Sequence, residues 1–361
     1  MTIDGVMEHL VRLTSLHDRE QVDLALARAL GAICQARAAG VHRVQPDRQG
    51  VMRWMSCGVS RPGELLSSDP PWVDLSELPG LDDFPLRQDV ITDLTVVQVP
   101  THPPLTPGWL TVMPFKGHAD ETRHLTSDSS LMRHPGVIEL ETAHPLSVGD
   151  IMTLQTVLQV VENHLRLLDS SQRDALTGLL NRQTFDTTFL AASLPNTAGA
   201  ISDEAERRRG MGDLWWLGVI DIDHFKQVND RFGHLIGDEV LVLLARLMHQ
   251  TFRHHDRLFR FGGEEFVVML RCADEASAMV AFERLRARVA EYPFPQVKRV
   301  TVSAGVTQVQ RSDSPSAAFS RADDAVYQAK HQGRDRVLSH AALLAAGVVT
   351  VAKHEGDVEL F

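Results

Sequence analysis

The stretch that most constrains this sequence is residues 259–270, where two apolar runs flank the sequence Gly-Gly-Glu-Glu at 262–265. A Gly-Gly pair supplies the positive φ angles that a tight turn needs, so the stretch is predicted to be a β-hairpin. An ordinary hairpin with solvated glutamates is one interpretation. However, a second acidic cluster, Asp-Ile-Asp at 221–223, ends another apolar run. Carboxylates at strand ends are typical of sites for hard divalent cations, so the two segments together suggest a cation site.

Length and composition place the chain in a broad class. Its 361 residues exceed one typical domain, so two domains are expected. A net charge of −11 argues against a nucleic-acid-binding surface. The three cysteines, Cys34, Cys57 and Cys272, are widely spaced and are interpreted as reduced thiols. No signal peptide and no apolar run of about 18 residues is recognised. We therefore expect a cytoplasmic protein without a membrane span.

Residues 1–146 are predicted to form a first α/β domain. Val6, Leu10 and Leu13 predict one helix, and a capping box at Asp18 opens a second. Strand-like segments follow at 41–44, 51–55, 109–115 and 137–140. The proline-rich stretch 62–107 between them is expected to be rich in loops. This order of elements resembles that of GAF-type domains, which implies a GAF-like sensor or regulatory domain with an unidentified ligand.

Residues 147–172 are predicted to be a helical, coiled-coil-like linker. Apolar residues recur there at intervals of three and four, as in a heptad repeat: Ile151, Leu154, Leu158, Val161, Leu165 and Leu168. An amphipathic helix packed on its own domain would bury this stripe, and so would a coiled coil between two copies. We favour a parallel homodimer, because the stripe continues to the start of the next domain.

Residues 173–340 carry six motifs that together resemble the GGDEF family of diguanylate cyclases. The motifs are Asp-x-Leu-Thr-Gly-Leu-x-Asn-Arg at 174–182, Asp-Ile-Asp-x-Phe-Lys at 221–226, Asn229, Gly-Asp at 237–238, Gly-Gly-Glu-Glu-Phe at 262–266, and the stretch 322–334. The resemblance implies a mixed sheet with helices on its faces, like the palm of nucleotidyl cyclases. The whole chain is therefore expected to be of the α/β class, with a C-terminal tail at 341–361 and a surface loop at 195–213.

The resemblance also implies a reaction, in which two GTP molecules condense to cyclic-di-GMP with release of two pyrophosphates. Divalent cations, Mg²⁺ or Mn²⁺, would neutralise charge and activate the attacking 3′-hydroxyl, with two per GTP site expected. Asp221, the Ile222 carbonyl and Glu264 are the implied metal ligands. The implied catalytic residues are Asp221, Glu264 and Glu265, where Glu265 is either a further metal contact or the base. Asp223 either reaches the site or is a structural carboxylate.

Four substrate-binding positions are implied near the first acidic cluster. Asn229 and Asp238 match the guanine-reading positions of the family. A carboxylate can accept two hydrogen bonds from guanine, whereas adenine cannot donate that pair, so loss of the partner would be costly. Asp238 could instead only cap the helix that it begins. The turn that carries Phe225 and Lys226 offers main-chain N–H groups to phosphate.

Two further cations, Lys330 and Arg334, match the triphosphate contacts of the family. They lie four residues apart near the end of a predicted helix, so they are expected to share one face. In isolation, such a pair is more often a solvated surface than a binding site.

The sequence Arg-x-x-Asp at 253–256 lies just before the hairpin. Arg253 and Asp256 could form an ordinary surface ion pair. At this offset they resemble the inhibitory site of the family, where cyclic-di-GMP binds, and Arg284 matches a secondary arginine of that site. Arginine suits this role because it stacks on bases and binds phosphate through two donors. The resemblance therefore implies product inhibition.

Two hypotheses follow from these motifs. The first is an active diguanylate cyclase that works as a homodimer, because each half-site holds one GTP. The second is a catalytically inactive domain that acts as a cyclic-di-GMP receptor or as a dimerisation module. The presence of every implied active-site residue favours the first.

Overall fold

The computed structural model describes two compact units, which divide between Ser171 and Gln172. The described residues are 3–47, 49–70, 73–101, 107–115, 135–193, 214–253 and 255–349. The loop predicted at 195–213 and the tail beyond residue 349 lie outside these ranges. Within them, no helix has both the length and the apolar character needed to cross a membrane.

The first unit contains an antiparallel sheet of five described strands, in the order β2-β1-β5-β4-β3. The strands are β1 (Ala38–Pro46), β2 (Met52–Ser60), β3 (Val97–Thr101), β4 (Gly108–Phe115) and β5 (Gly136–Thr142). Four of the five, all except β3, coincide with the segments predicted to be strand-like. The first two of these strands, β1 and β2, pair with each other as an antiparallel hairpin.

The helices of this unit correct one expectation. They are α1 (Ile3–Thr14), α2 (Arg19–Cys34), α3 (Pro85–Asp93) and α4 (Val148–Gln172). Both α3 and β3 lie in the proline-rich stretch that was expected to be rich in loops, where neither element was predicted. Pro85 takes the first position of α3, where a missing N–H loses no helical hydrogen bond. Proline therefore begins a helix here, although a cluster of prolines usually indicates loops.

The apolar stripe of α4 is buried inside its own unit. Leu154, Leu158, Val161, Leu165 and Leu168 are each at most 9% exposed. They pack with side chains of α1, α2 and the inner face of the sheet. A second copy would have to displace these elements to reach the stripe. Of the two interpretations of this stripe, the amphipathic helix packed on its own domain is therefore the one observed. Our preference for a coiled coil along these residues is corrected.

Two ion pairs, the first buried and the second partly buried, connect helices of the first unit to its sheet. Arg43 donates two hydrogen bonds of 2.8 Å to Asp23 of α2. Arg87 of α3 binds Glu139 of β5 through bonds of 2.7 and 2.8 Å. Burial alone would raise the pKa of Glu139, but hydrogen bonds from His42 and Arg87 outweigh burial and lower the pKa to about 2. Such fully bonded pairs fix the position of each helix on the sheet.

The second unit is built on a mixed sheet with the described order β11-β10-β7-β9-β8-β6. The strands are β6 (Leu180–Asn181), β7 (Leu214–Ile222), β8 (Arg257–Gly262), β9 (Glu265–Cys272), β10 (Val302–Gln308) and β11 (Val337–Ser339). β6 and β11 pair in parallel with β8 and β10, and the other pairs are antiparallel. The apolar run that forms β7 is buried on both faces of the sheet. The predicted α/β class is confirmed.

Helices cover both faces of this sheet. They are α5 (Arg182–Ser193), α6 (Phe225–Phe232), α7 (His234–Thr251), α8 (Glu275–Glu291), α9 (Pro315–His331) and α10 (His340–Ala345). Side chains of α6, α7 and α8 pack on one face, and those of α5 and α9 pack on the other. α10 begins the predicted tail and buries His340 and Leu343, so this part of the tail docks on the domain.

One helix boundary in the second unit differs from the prediction. α7 was expected to begin near Asp238, but it begins at His234. Gly233 separates it from α6 with a φ of 85°. Glycine adopts this angle without steric cost, so two helices can follow each other across a single residue.

The stripe of α4 gives a matched pair of substitutions. Leu165 is 4% exposed and Leu167 is 67% exposed, two residues apart on one helix. Leu165→Ala should lower the free energy of unfolding of the first unit by about 2–5 kcal/mol, because it leaves a cavity in the core. Leu167→Ala should change it by less than about 0.5 kcal/mol. Urea titrations followed by hydrogen exchange of α1 and α2 peptides measure both. A larger effect at Leu167 would contradict the packing described.

The Glu139 ion pair gives a prediction for pH. Because the pKa of Glu139 is depressed to about 2 in the folded unit, its stabilisation is present above the unfolded pKa and is lost as pH falls towards 2. Between pH 5 and pH 2, the free energy of unfolding of Glu139→Gln should therefore fall by about 3 kcal/mol less than that of wild type. Glu141→Gln is the control, since this carboxylate on the same strand joins no ion pair in the described residues. Equal acid sensitivity of Glu139→Gln and wild type would contradict the prediction.

Candidate active site

The Gly-Gly-Glu-Glu segment forms the tight turn between β8 and β9. Gly262 pairs with Glu265, so Gly263 and Glu264 are the two residues that reverse the chain. The φ angles of Gly262 and Gly263 are 141° and 52°, which confirms the predicted need for positive φ. The turn is displaced by one residue from the simplest prediction, because Gly262 belongs to the strand. Glu264 therefore lies at the tip of the turn.

Arg260 holds this turn through two hydrogen bonds. It donates to the Gly263 carbonyl at 2.9 Å and to the Asp174 carboxylate at 3.0 Å. Asp174 also accepts from the main chain and hydroxyl of Thr177 at 2.8 and 2.7 Å. Burial would raise the pKa of Asp174, but these bonds outweigh it and lower the pKa. The motif that opens the domain thus anchors the turn, a role that we did not predict for Arg260.

The predicted carboxylates do come together. Asp221, at the end of β7, pairs directly with Glu265 on β9, and opposite residues of an antiparallel pair point to the same face. This face is covered by α9, whose Lys330 lies 2.7 Å from Asp221. Burial raises the pKa of Asp221 to about 6; Lys330 acts against burial, while Glu264 and Glu265 add to it. Burial likewise raises the pKa of Glu264.

The acidic group has the features expected of half a cation site. Asp221 Oδ1 is buried and has no hydrogen-bond partner. The main-chain N–H of Ile222 lies 3.4 Å from the Glu264 carbonyl, which brings the end of β7 against the turn. Across the described residues, no three His, Cys, Asp or Glu side chains are arranged to hold a metal ion. Asp221, with its unpartnered Oδ1 and the neighbouring Glu264 and Glu265, fits Mg²⁺, because this ion is bound by one or two protein carboxylates and takes further oxygens from phosphates.

Asp223, unlike Asp221, has hydrogen-bond partners for both of its carboxylate oxygens. It is 5% exposed, and its carboxylate accepts hydrogen bonds from Thr301, Ser303 and the main chain of Asp335. Of the two interpretations left open by the sequence, the structural carboxylate is the one observed.

The guanine-reading candidates lie on the two helices that follow. Asn229 is half-buried on α6, and Asp238 is exposed on α7. A methyl group at Gly237 would overlap the Asn229 side-chain amide, so this glycine makes room for Asn229. Asp238 is the fifth residue of α7. The interpretation that it caps the helix is wrong, because Gly233 precedes the first turn.

The phosphate-binding candidates occupy two places. α6 begins after His224, which has a φ of 58°, and Phe225 is buried while Lys226 is exposed. Lys330 lies in the last turn of α9, but Arg334 lies beyond the helix with a φ of 64°. The prediction that these two cations share a helix face is therefore wrong, because the helix has ended before Arg334.

The candidate inhibitory residues lie where α7 ends and β8 begins. The main-chain N–H of Arg253 donates to Asp256 at 2.7 Å, and the Arg253 side chain is exposed. Arg284 of α8 donates to the Thr251 carbonyl at 2.7 Å. It thereby satisfies the C-terminal end of α7, where cations are favoured.

Comparison with known proteins finds a family match over the residues that form this site. The family described as "Diguanylate cyclase, GGDEF domain" matches residues 171–336. Residues 171–336 form a GGDEF domain. The chain is 42% identical over 180 residues to diguanylate cyclase DgcP of Pseudomonas aeruginosa and 36% identical over 201 residues to DgcM of Escherichia coli. These alignments cover 48% and 55% of this chain, and 25% and 46% of the relatives.

A solved structure, described as the active GGEEF domain of a diguanylate cyclase from Vibrio cholerae, is 35% identical. The match covers 45% of this chain and 97% of that chain, with a TM-score of 0.38. This chain spans less than half the length of the first curated relatives.

The anchor of the GGDEF turn can be tested directly. Arg260→Ala removes both donors, which leaves the Gly263 carbonyl and Asp174 without this partner. We expect a loss of about 1–3 kcal/mol in the free energy of unfolding of the second unit. Amide exchange of residues 262–265 should also become faster. Arg311→Ala, an exposed arginine of the same unit, is the control and should change neither. Wild-type exchange in Arg260→Ala would show that the turn does not depend on this anchor.

Proposed function

We propose that the protein is a diguanylate cyclase that condenses two GTP molecules into cyclic-di-GMP and two pyrophosphates. The observation that carries this proposal is the meeting of Asp221, Glu264 and Glu265 beside Lys330, in a domain that matches the GGDEF family. Both relatives named above are described as diguanylate cyclases.

The acidic group is proposed to bind Mg²⁺ or Mn²⁺, two per GTP site, through Asp221, Glu264 and the Ile222 carbonyl. When bound, the cations would neutralise triphosphate charge and make the 3′-hydroxyl more acidic. Glu265 faces the same side of the sheet as Asp221, so we propose it as the base that accepts the hydroxyl proton. These assignments give every carboxylate of the group a part in the reaction.

Two sets of residues are proposed to hold the nucleotide. Asn229 and Asp238 would read guanine, because an amide and a carboxylate offer acceptors to its N1–H and exocyclic amine. Lys330 and Arg334 would bind the triphosphate, together with the main chain at Phe225 and Lys226. In an α-helix the first N–H groups have no acceptor within the helix, and the helix dipole favours anions there.

The reaction requires two GTP molecules that face each other, so we propose a homodimer. Because the apolar stripe of α4 is buried in its own unit, a second copy would contact the exposed side of this helix. Large apolar residues lie there at Met152, Val160 and Leu167. We propose the first unit as a GAF-like sensor that responds to an unidentified ligand and sets this geometry, with residues 147–172 as the helical connection.

We also propose that cyclic-di-GMP inhibits the enzyme at Arg253, Asp256 and Arg284. The exposed Arg253 guanidinium would meet the ligand phosphates and bases. Arg284 would have to exchange its hydrogen bond to the end of α7 for one to the ligand.

The direct test is incubation of the purified full chain with GTP and Mg²⁺ at several protein concentrations, with products separated by chromatography. Wild type should form cyclic-di-GMP at a rate per subunit that rises with protein concentration. Asp221→Asn and Glu265→Gln should each lower the rate about 100-fold or more. Glu291→Gln, an exposed carboxylate at the end of α8, should match wild type. Cyclic-di-GMP binding without any synthesis would contradict the proposal and support a receptor.

A further inference from the structure

We infer that Asp223, the second carboxylate of the Asp-Ile-Asp segment, is a positioning residue that fixes Arg334 for the nucleotide triphosphate. This inference rests on the proposed function, because it assumes that Arg334 meets GTP. It assigns to Asp223 a contact with the main chain of a neighbouring turn, and no direct contact with substrate or cation.

The carboxylate of Asp223 is already fully engaged by the protein. Thr301 and Ser303 each donate a hydroxyl to it at 2.7 Å. Its Oδ2 atom accepts a further bond from the main-chain N–H of Asp335 at 3.0 Å. The N–H of Asp223 itself donates to the Thr301 carbonyl at 2.9 Å. A buried carboxylate with three donors around it needs no cation to balance its oxygens.

The segment that Asp223 holds is a turn of unusual backbone. Gly333, Arg334 and Asp335 have φ angles of 113°, 64° and 45°, one after the other. Left-handed backbone is unfavourable for residues with a Cβ, so two such residues in succession persist only where surrounding contacts impose them. The bond from Asp335 N–H to Asp223 is one of those contacts.

Other contacts hold the same turn from its remaining sides. The N–H of Arg334 donates to the Ala329 carbonyl at 3.0 Å. The Asp335 carboxylate lies 2.5 Å from Arg286 and 3.4 Å from Arg299. The turn is thus fixed against the end of α9, which also carries Lys330. In the described residues, the Arg334 side chain has no acidic partner, so its charge is available to a phosphate.

Each aspartate of the segment therefore helps to position one of the two proposed phosphate-binding residues, Lys330 or Arg334. Asp221 pairs directly with the Lys330 ammonium. Asp223 bonds the main chain one residue after Arg334. Because both carboxylates belong to one strand end, Lys330 and Arg334 are held relative to the same piece of backbone, although they lie on a helix and on a turn.

Binding of 3′-deoxy-GTP tests the inference without turnover, because this nucleotide lacks the attacking hydroxyl. Isothermal titration of the full chain in Mg²⁺ should show Asp223→Ala and Arg334→Ala each weakening binding about tenfold or more. The double variant should bind no more weakly than Arg334→Ala alone, since the two changes remove one contact. Asp223→Asn should stay within about threefold of wild type, because its oxygen can still accept the Asp335 N–H.

Amide exchange at Asp335 distinguishes a local loss of the Asp223 contact from a general destabilisation of the unit. In Asp223→Ala it should accelerate at least tenfold more than at the buried strand β10. If Asp223→Ala does not fold, Asp223→Ser replaces it, because a serine hydroxyl is too short to keep all three bonds.

Two results would overturn the inference. The first concerns the double variant of Asp223→Ala and Arg334→Ala. If its loss of affinity for 3′-deoxy-GTP equals the product of the two single losses, the two residues contribute independently. The second is a loss of Mn²⁺ affinity in Asp223→Asn as large as in Asp221→Asn, measured by paramagnetic resonance without nucleotide, which would make Asp223 a ligand. Tight binding of 3′-deoxy-GTP with no synthesis from GTP would refute the proposed activity alone. If wild type does not bind 3′-deoxy-GTP, both proposals fail.

Discussion

The second unit depends on one unfavourable arrangement, in which Asp221 is buried beside two glutamates. The register of β7 against β9 imposes it, because Asp221 lies directly opposite Glu265 and next to the turn that carries Glu264. Burial and like charges both oppose ionisation, and Lys330 is the cation that acts against them. A divalent cation would relieve the same repulsion more strongly than one ammonium. The strand register thus holds three acidic side chains close together, although burial and their mutual repulsion oppose the ionisation of Asp221.

The contacts around this acidic group come from distant parts of the chain. Asp174 and Arg260 hold the turn, while Thr301 and Asp335 hold Asp223. Each of these contacts is a hydrogen bond that involves the main chain or a carboxylate oxygen. The side chains that are proposed to contact substrate are therefore positioned by neighbouring residues that have no proposed contact with it.

Local patterns in the sequence predicted most of the second unit. The hairpin, the central strand β7 and the proximity of Asp221 to the two glutamates followed from apolar runs, glycines and acids at strand ends. The errors concern features set by distant contacts. Arg334 leaves the helix because a turn of positive φ is held by Asp223, which lies 111 positions earlier in the sequence. The anchoring role of Arg260 depends equally on a partner, Asp174, that no local pattern identifies.

The stripe of α4 shows why periodicity alone misled. Spacing of three and four residues says that one face of a helix is buried, but it carries no information about what covers that face. Leu165 would occupy the same position in a heptad or in a domain core. Here α1 and α2 cover the stripe, so its apolar side chains are already buried within one chain. Any contact between two copies along α4 must therefore use its exposed side, where apolar residues such as Leu167 are fewer and more widely spaced.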